Sequence, residues 1–275
     1  MEYIDGFACY DPDSAKLNDD FEVACFPAYQ KYIPANFWYN ARSKIISDTI
    51  VHSFKLSSRI KFMEIGCGNG FVLKKLKSDH DKIDFHGCDV YVEALRYCRL
   101  NNPTVNLFQY NLFKNNLNEK YDCIGLFDVL EHIEQDETAL RNINNLLSEN
   151  GQLILTVPSN MKLWSNNDVV NKHKRRYLAG DLISKLNNNN FEVMYMNHFV
   201  CLLFPLLWIK ALFQKNKKVE LSSLKTKQIA HLLNLKINPA LNFIFKLIMN
   251  VEIMLIKTGI KFPFGSSIIC VARKK

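Results

Sequence analysis

The sequence predicts an α/β fold, a mostly parallel sheet with helices on both faces, and three observations carry that prediction. The first is Phe62-Met63-Glu64-Ile65-Gly66-Cys67-Gly68-Asn69-Gly70-Phe71. An apolar run closes on an acid, glycines follow at alternate positions, and a second apolar run begins: strand, tight turn, helix start. The second is Asp89, which ends another apolar run 23 positions after Gly66, a separation that suits a strand–helix–strand unit. The third is Tyr121 to Phe127, almost continuously apolar, as expected of a strand covered on both faces. With 275 residues and 48% hydrophobic content the chain can build one large domain with an elaboration, and it does not have the composition of a disordered one.

Taken in order, residues 1–35 mix acids, aromatics and prolines (Pro12, Pro27, Pro34) without a clean period, and read as an irregular leader that covers something. From Asn36, the residues Phe37, Trp38, Ala41, Ile45, Ile46, Ile50 and Phe54 recur at helical spacing, which predicts a helix ahead of the first strand. The first strand spans about 60–65 and its helix runs from Phe71 toward Lys77. A strand over Ile83 to Cys88, a helix over Tyr91 to Leu100 and a strand over Val105 to Gln109 follow. After the strand at 121–127 come a helix over Glu134 to Leu147, a turn at Asn150-Gly151, a fifth strand over Gln152 to Val157, a helix over Leu178 to Asn188 and a sixth strand over Phe191 to Met196. Ser267 to Ala272 reads as the last strand. These divide the chain into a leader (1–35), a core (36–198), a helical apolar insertion (199–265), and a last strand with a basic tail (266–275).

The insertion holds an apolar run from Phe199 to Phe213 broken by Pro205 and Lys210, then Lys215-Asn216-Lys217-Lys218, then a helix-like stretch from Ala240 to Ile256 that contains Lys246 and Glu252. Neither run offers the roughly 20 unbroken apolar residues of a spanning helix. Two readings stay open: a helical lid on the core, or an interfacial helix pair with lysines at headgroup level, contacting a membrane through 199–258.

The glycine loop lets backbone approach a ligand where a Cβ would obstruct it. Its spacing departs from the dinucleotide fingerprint, whose third glycine would fall where Phe71 stands, and Glu64 beside the loop would repel a pyrophosphate. A cationic or zwitterionic ligand suits it better. Asp89 can accept from ribose hydroxyls or cap the helix after it. Asp128, Glu131 and His132 follow the carboxyl end of a strand, where open α/β sheets bind ligands. Glu131 and His132 are therefore acid/base candidates, and His132 also fits a helix-start residue bonded to backbone. His173 is a second proton acceptor, since imidazole titrates near neutral pH. The run His173-Lys174-Arg175-Arg176-Tyr177 is either a solvated face or a binding site for an anionic acceptor. No metal-ligand cluster stands at local spacing, so no metal is expected, although Glu131-His132 can join distant residues.

A formal charge of +8 and a pI near 9.0 admit nucleic acid or an anionic membrane as partner. Without an RNA-binding appendage, nucleic acid is the disfavoured one. Eight cysteines without a Cys-x-x-Cys suit a reducing cytoplasm, and the acidic, polar start shows no signal-peptide pattern.

Glu64-x-Gly66-x-Gly68-x-Gly70, Asp89, Asp128-Val129-Leu130-Glu131-His132-Ile133 and Leu155-Thr156-Val157-Pro158, in this order over about 60–160, resemble the class I S-adenosylmethionine-dependent methyltransferases, with features of the ubiquinone O-methyltransferase branch. The resemblance implies a Rossmann-like seven-stranded sheet, S-adenosyl-L-methionine as cofactor, and methyl transfer to a small or lipid-linked acceptor through a hydroxyl oxygen. It implies that Arg42 reaches the cofactor's carboxylate, that Glu64 holds or orders its ammonium end, that Gly66, Gly68 and Gly70 cradle it, that Asp89 takes the ribose and that Asp128 lies near the methionine end. Relatives usually carry an aspartate for the adenine where this chain has Asn111, whose oxygen can still accept, with the Leu112 N–H beside it. Trp164-Ser165-x-x-Asp168 and His173-x-Arg175-Arg176-Tyr177 resemble a branch with these pieces after strand five, which makes Trp164, Arg175, Arg176 and Tyr177 substrate-binding candidates. RNA as acceptor and a non-catalytic cofactor-binding scaffold are the alternative readings.

Overall fold

The computed structural model describes residues 2–16, 25–53, 59–214 and 235–275. Strands β1 (Glu2–Ile4) and β2 (Phe7–Cys9) form an antiparallel hairpin, followed by helices α1 (Pro12–Lys16), α2 (Phe26–Tyr32) and α3 (Phe37–Ser53). Strand β3 (Ile60–Ile65), helix α4 (Phe71–Asp79), strand β4 (Ile83–Asp89), helix α5 (Val92–Asn101) and strand β5 (Asn106–Gln109) are two parallel crossovers. Then come β6 (Tyr121–Phe127), α6 (Asp136–Leu146), β7 (Leu147–Pro158), α7 (Asn166–Val170), α8 (Ala179–Asn188), β8 (Phe191–Phe199), α9 (Phe204–Gln214), α10 (Pro239–Lys257) and β9 (Ser267–Lys274).

Among the described residues the sheet has nine strands in the order β1-β2-β5-β4-β3-β6-β7-β9-β8. Strands β2 through β7 run parallel along that order, and β9 lies antiparallel between β7 and β8. The α/β, Rossmann-like architecture with an insertion before the last strand is as expected, but seven strands becomes nine. The added pair comes from the stretch read as an irregular leader: β2 joins the sheet edge through Ala8 and Cys9 opposite Phe108 and Gln109 of β5. Strands of three residues are too short to show a period, and this one is stabilised by an edge about a hundred residues away.

Alternation along the buried strands splits the core in two. Phe62 and Cys123 point to the face covered by α3, α4 and α5, where Ile46, Leu73 and Leu95 are buried. Met63 and Ile124 point to the opposite face, under Leu140 and Ile143 of α6 and Leu182 and Leu186 of α8. The periodicity read in α3 holds to Ile50; Phe54 lies outside the described residues, as does the basic run 215–218. All eight cysteines are buried and none is in a disulfide.

Helix α10 corrects one expectation. Its 19 residues, with mean hydropathy 1.6, are long and apolar enough to cross a membrane by length and composition alone. It is nevertheless tied to the core. The Asn242 Nδ2 donates to the Ala35 carbonyl (2.8 Å) and its Oδ1 accepts from the Phe37 N–H (2.9 Å). Glu252, fully buried, accepts the N–H groups of Cys201 (2.8 Å) and Leu202 (2.9 Å). The latter bonds fix α10 to the turn that opens α9, where Val200 takes φ 58°, a conformation a β-branched residue adopts only when its surroundings impose it.

Candidate active site

At the carboxyl ends of β3 and β6 lies a cavity of about 770 Å³, within the range of small-molecule sites. Gly66 and Gly68 of the glycine loop form its floor, and Gly66, Gly68 and Gly70 have φ of 71°, 53° and 71°. A Cβ at Gly66 would stand 2.6 Å from Val129 Cγ2, and one at Gly70 would collide with Asn102 and Cys98. At Gly68, which lines the cavity, a Cβ would meet nothing within 4 Å, so that space is open to a ligand. Gly68 donates its N–H to Asp89 Oδ2 (2.9 Å), and Asp89 Oδ1 accepts from the Tyr91 N–H (3.0 Å). Asp89 thus braces the loop from beneath, and burial raises its carboxyl above the usual range. Neither it nor Gly70 is part of the cavity wall.

Three charged side chains face the loop. Arg42 of α3 is ion-paired with Asp128, its guanidinium stacked 4.8 Å from the Trp38 ring and 5.6 Å from Tyr39, and its Nε has no partner among the described residues. Asp128 takes φ 55° at the end of β6 and accepts from Thr156 Oγ1 (3.2 Å). Glu64 is buried with Oε2 unpartnered, and burial pushes its carboxyl up to about 8 against the opposing effect of Arg42. An acid in that state is primed to ionise against a ligand cation.

Across the cavity, Ser165 and Asp168 form a capping box on α7. Fully buried Asp168 also accepts from Arg176 at both oxygens (Nε 2.8 Å, Nη2 3.0 Å) and meets His173 Nδ1 at 2.9 Å. Burial would raise Asp168, but the bonds from His173 and Arg176 outweigh it and hold the carboxyl below its ordinary value. The His173 ring stands edge-on to His132, centroids 4.8 Å apart. Burial, with His173 adding to it, lowers His132 to about 3, so it is a neutral imidazole, bonded to the Asn171 backbone. Glu131 lies beneath them, fully buried, with neither oxygen partnered beyond its own backbone; burial first and Asp128 second push it far above the carboxylate range.

One ligand atom from each of Glu131, His132 and His173 lies within 4.8 Å of the others. Residues 131–132 and 173 meet only in the fold, the kind of distant partner for Glu131-His132 that local spacing leaves open. Their chemistry, two imidazoles and one carboxyl, fits a borderline divalent ion.

Of the residues singled out from sequence, Arg42, Glu64, Gly66, Gly68, Asp128, His132, His173 and Arg176 line this one cavity. Others do not. Asn111 gives its amide to Asp11 Oδ2 (2.9 Å) and Ser14 Oγ (3.0 Å) and accepts from the Phe113 N–H (3.0 Å), so its side chain binds the N-terminal segment instead of an adenine. Leu112 is buried, with its carbonyl on Asn142 (3.0 Å). Tyr177 is buried and donates to Asp136 (2.9 Å), which Arg175 also holds (2.9 Å); these two brace α6 and lie outside the cavity wall. Trp164 closes a 3-10 turn before Ser165. Not foreseen were Phe26, Tyr29 and Ile33, which wall the cavity from the stretch read as a cover.

Residues 63–153 match the family model of a methyltransferase domain. That stretch, from β3 into β7, is a methyltransferase domain and takes in the glycine loop, Asp89 and Asp128. The open cradle at Gly68, the Glu64 oxygen without a partner among the described residues and the Arg42 cation fit the amino-acid end of S-adenosylmethionine. The methyltransferase is similar to the ubiquinone biosynthesis O-methyltransferase of Rickettsia canadensis, 20% identical over 146 residues covering 52% of this chain and 57% of the relative. It therefore spans just over half the length of the curated relatives it matches. Among solved structures, an S-adenosylmethionine-dependent methyltransferase from Clostridium acetobutylicum shares the fold (TM-score 0.54, 15% identity, 90% of this chain and 96% of that one). So does phosphoethanolamine N-methyltransferase 2 of Haemonchus contortus in complex with S-adenosyl-L-methionine (TM-score 0.57, 13% identity, 94% and 58%).

Proposed function

We propose that the chain transfers a methyl group from S-adenosylmethionine to a hydroxyl oxygen of a small or lipid-linked acceptor, with His173 as proton acceptor. One observation carries the reading: His173 lines the same cavity as the glycine loop while its Nδ1 is engaged by buried Asp168. An ionised carboxylate offers only acceptors, so the shared proton belongs to Nδ1 and Nε2 keeps its lone pair for the acceptor hydroxyl. When bound, S-adenosylmethionine supplies a methyl on a positively charged sulfur. Arg42 would hold its carboxylate and Glu64 its ammonium, while Phe26, Tyr29 and Trp38 exclude water. Such alignment can contribute up to about 7–11 kcal/mol and a positioned base about 10²–10⁴ in rate.

The far wall, Leu203, Leu207 and Phe245, is apolar, which suits an acceptor with a hydrocarbon part. Similarity to the ubiquinone biosynthesis enzyme supports an oxygen acceptor. RNA is a weaker reading, because the arginines of the 173–176 run are engaged inside the protein, Arg175 with Asp136 and Arg176 with Asp168. A scaffold would need the cofactor contacts but no oriented base. Eight buried cysteines outside any disulfide support a reducing compartment.

The test is incubation with methyl-labelled S-adenosylmethionine and a total lipid extract, followed by separation of lipid, RNA and protein. Label in the lipid or small-molecule fraction, falling by roughly a hundredfold or more in His173→Gln, is the expected result. Label in RNA, or bound cofactor with no product, would overturn the reading.

A further inference from the structure

Helices α9 and α10 carry an apolar face that is not covered among the described residues. Trp208 and Ile209 on α9, and Phe243, Leu247, Val251 and Met254 on α10, are all exposed, Phe243 at 61% and Met254 at 60%. On α10 the spacing 243, 247, 251, 254 is one stripe of the helix, opposite the inner stripe that holds Met249, Glu252 and Ile253. A surface of this kind marks an interaction site.

Charge identifies what covers it. The insertion 199–265 contains ten lysines and two glutamates, and no arginine or aspartate. The chain as a whole has 35 basic and 27 acidic residues, so outside the insertion the two balance at 25 each and the entire +8 excess belongs to this segment. One of its two acids, Glu252, is buried against the Cys201 and Leu202 N–H groups. Lys210, Lys236 and Lys246 are exposed and make no ion pair among the described residues. A second copy docked on this face would set Lys210, Lys236 and Lys246 against the same lysines. An anionic lipid surface complements it, with apolar side chains in the acyl boundary and lysines at the headgroups.

We infer that the α9–α10 face docks on an anionic lipid bilayer. The helices lie in the plane of the surface instead of crossing it, because Asn242 and Glu252 keep the inner stripe of α10 on the core. Leu206, Lys210 and Leu241, from the same two helices and the segment around them, also line the cofactor cavity, so a bilayer-held acceptor meets the cavity mouth at the docked face. That last step rests on the proposed methyl transfer; docking itself does not.

The experiment is vesicle flotation of the full chain with phosphatidylcholine alone and with added phosphatidylglycerol, at low and high salt. The expected result is flotation with the anionic vesicles, weakened by salt. In a Phe243→Ser/Leu247→Ser/Met254→Ser variant, whose three sites lie outside the cavity wall, partitioning should fall on the order of a hundredfold. A Lys246→Glu variant, its site outside the cavity wall, should weaken the preference for anionic lipid. S-adenosylmethionine titration of the same samples checks folding and separates the two claims: flotation without cofactor binding leaves docking standing and sinks the proposed function. Absence of flotation by a cofactor-binding sample, or undiminished flotation of the triple variant, would overturn docking. A dimer that the triple variant dissociates would assign the face to a second copy instead.

Discussion

Asp168 Oδ1 and His173 Nδ1 stand 2.9 Å apart across the turn that ends α7, with Arg176 closing on the same carboxylate. The pair turns an imidazole into an oriented base. Asp168→Asn should keep most of the packing but let the ring choose the wrong tautomer, lowering kcat by roughly a hundredfold or more with cofactor Kd unchanged. Asp168→Ala should also destabilise the fold, by about 3–5 kcal/mol, since it strands a buried guanidinium. Steady-state kinetics beside cofactor titration and denaturant unfolding separate the two variants.

Glu64 predicts a pH dependence. Its carboxyl, raised to about 8 by burial, is protonated in the cofactor-free protein at neutral pH and must ionise to hold an ammonium. Cofactor affinity should rise with pH up to about 8 and then level, with proton release visible as a buffer-dependent binding enthalpy. The stability sign is opposite: the unfolded chain loses this proton near pH 4.3 and the folded one near 8, so Glu64 makes the cofactor-free protein less stable as pH rises between them. Glu64→Gln should remove the proton release and flatten that slope.

The loop glycines divide by what a Cβ would meet. Gly68→Ala should fold, at a cost of about 1 kcal/mol for its left-handed backbone, yet weaken cofactor binding about tenfold or more, because the methyl enters the cavity. Gly70→Ala should chiefly destabilise, since its Cβ collides with Asn102 and Cys98. Thermal melts with and without cofactor distinguish the two patterns.

Tyr177 and Asn111 belong to the framework. Tyr177→Phe should cost about 1–3 kcal/mol by leaving the buried end of Asp136 short of a donor, with cofactor Kd unchanged. Asn111→Ala should loosen the N-terminal segment held through Asp11 and Ser14, read as faster amide exchange there, and leave the cofactor's affinity within a few-fold.

What could be read in advance follows from range. Strand β6 matches its expected bounds because a buried parallel strand is apolar almost throughout, here with Asp122 as the exception, and α3 follows its 3.6-residue period. Strand β7 begins at Leu147, five residues before the expected start, because Ser148, Glu149 and Asn150 look like a turn; an irregular register opposite Tyr121 and Cys123 of β6 accommodates them. The β1–β2 hairpin and the role of Asn111 depend on partners about a hundred residues away, which no local pattern reports. The Ser165-x-x-Asp168 capping box was a local signal for the residue that orients His173, and it marks the link between that motif and the site.

The most direct test of the account is calorimetric titration of the full chain with S-adenosylmethionine, S-adenosylhomocysteine and NAD, beside Arg42→Ala and Gly68→Ala. Binding of both adenosyl ligands, none of NAD, and weakening in both variants is the predicted result. A folded chain that binds neither adenosyl ligand, or binds NAD in their place, would contradict it.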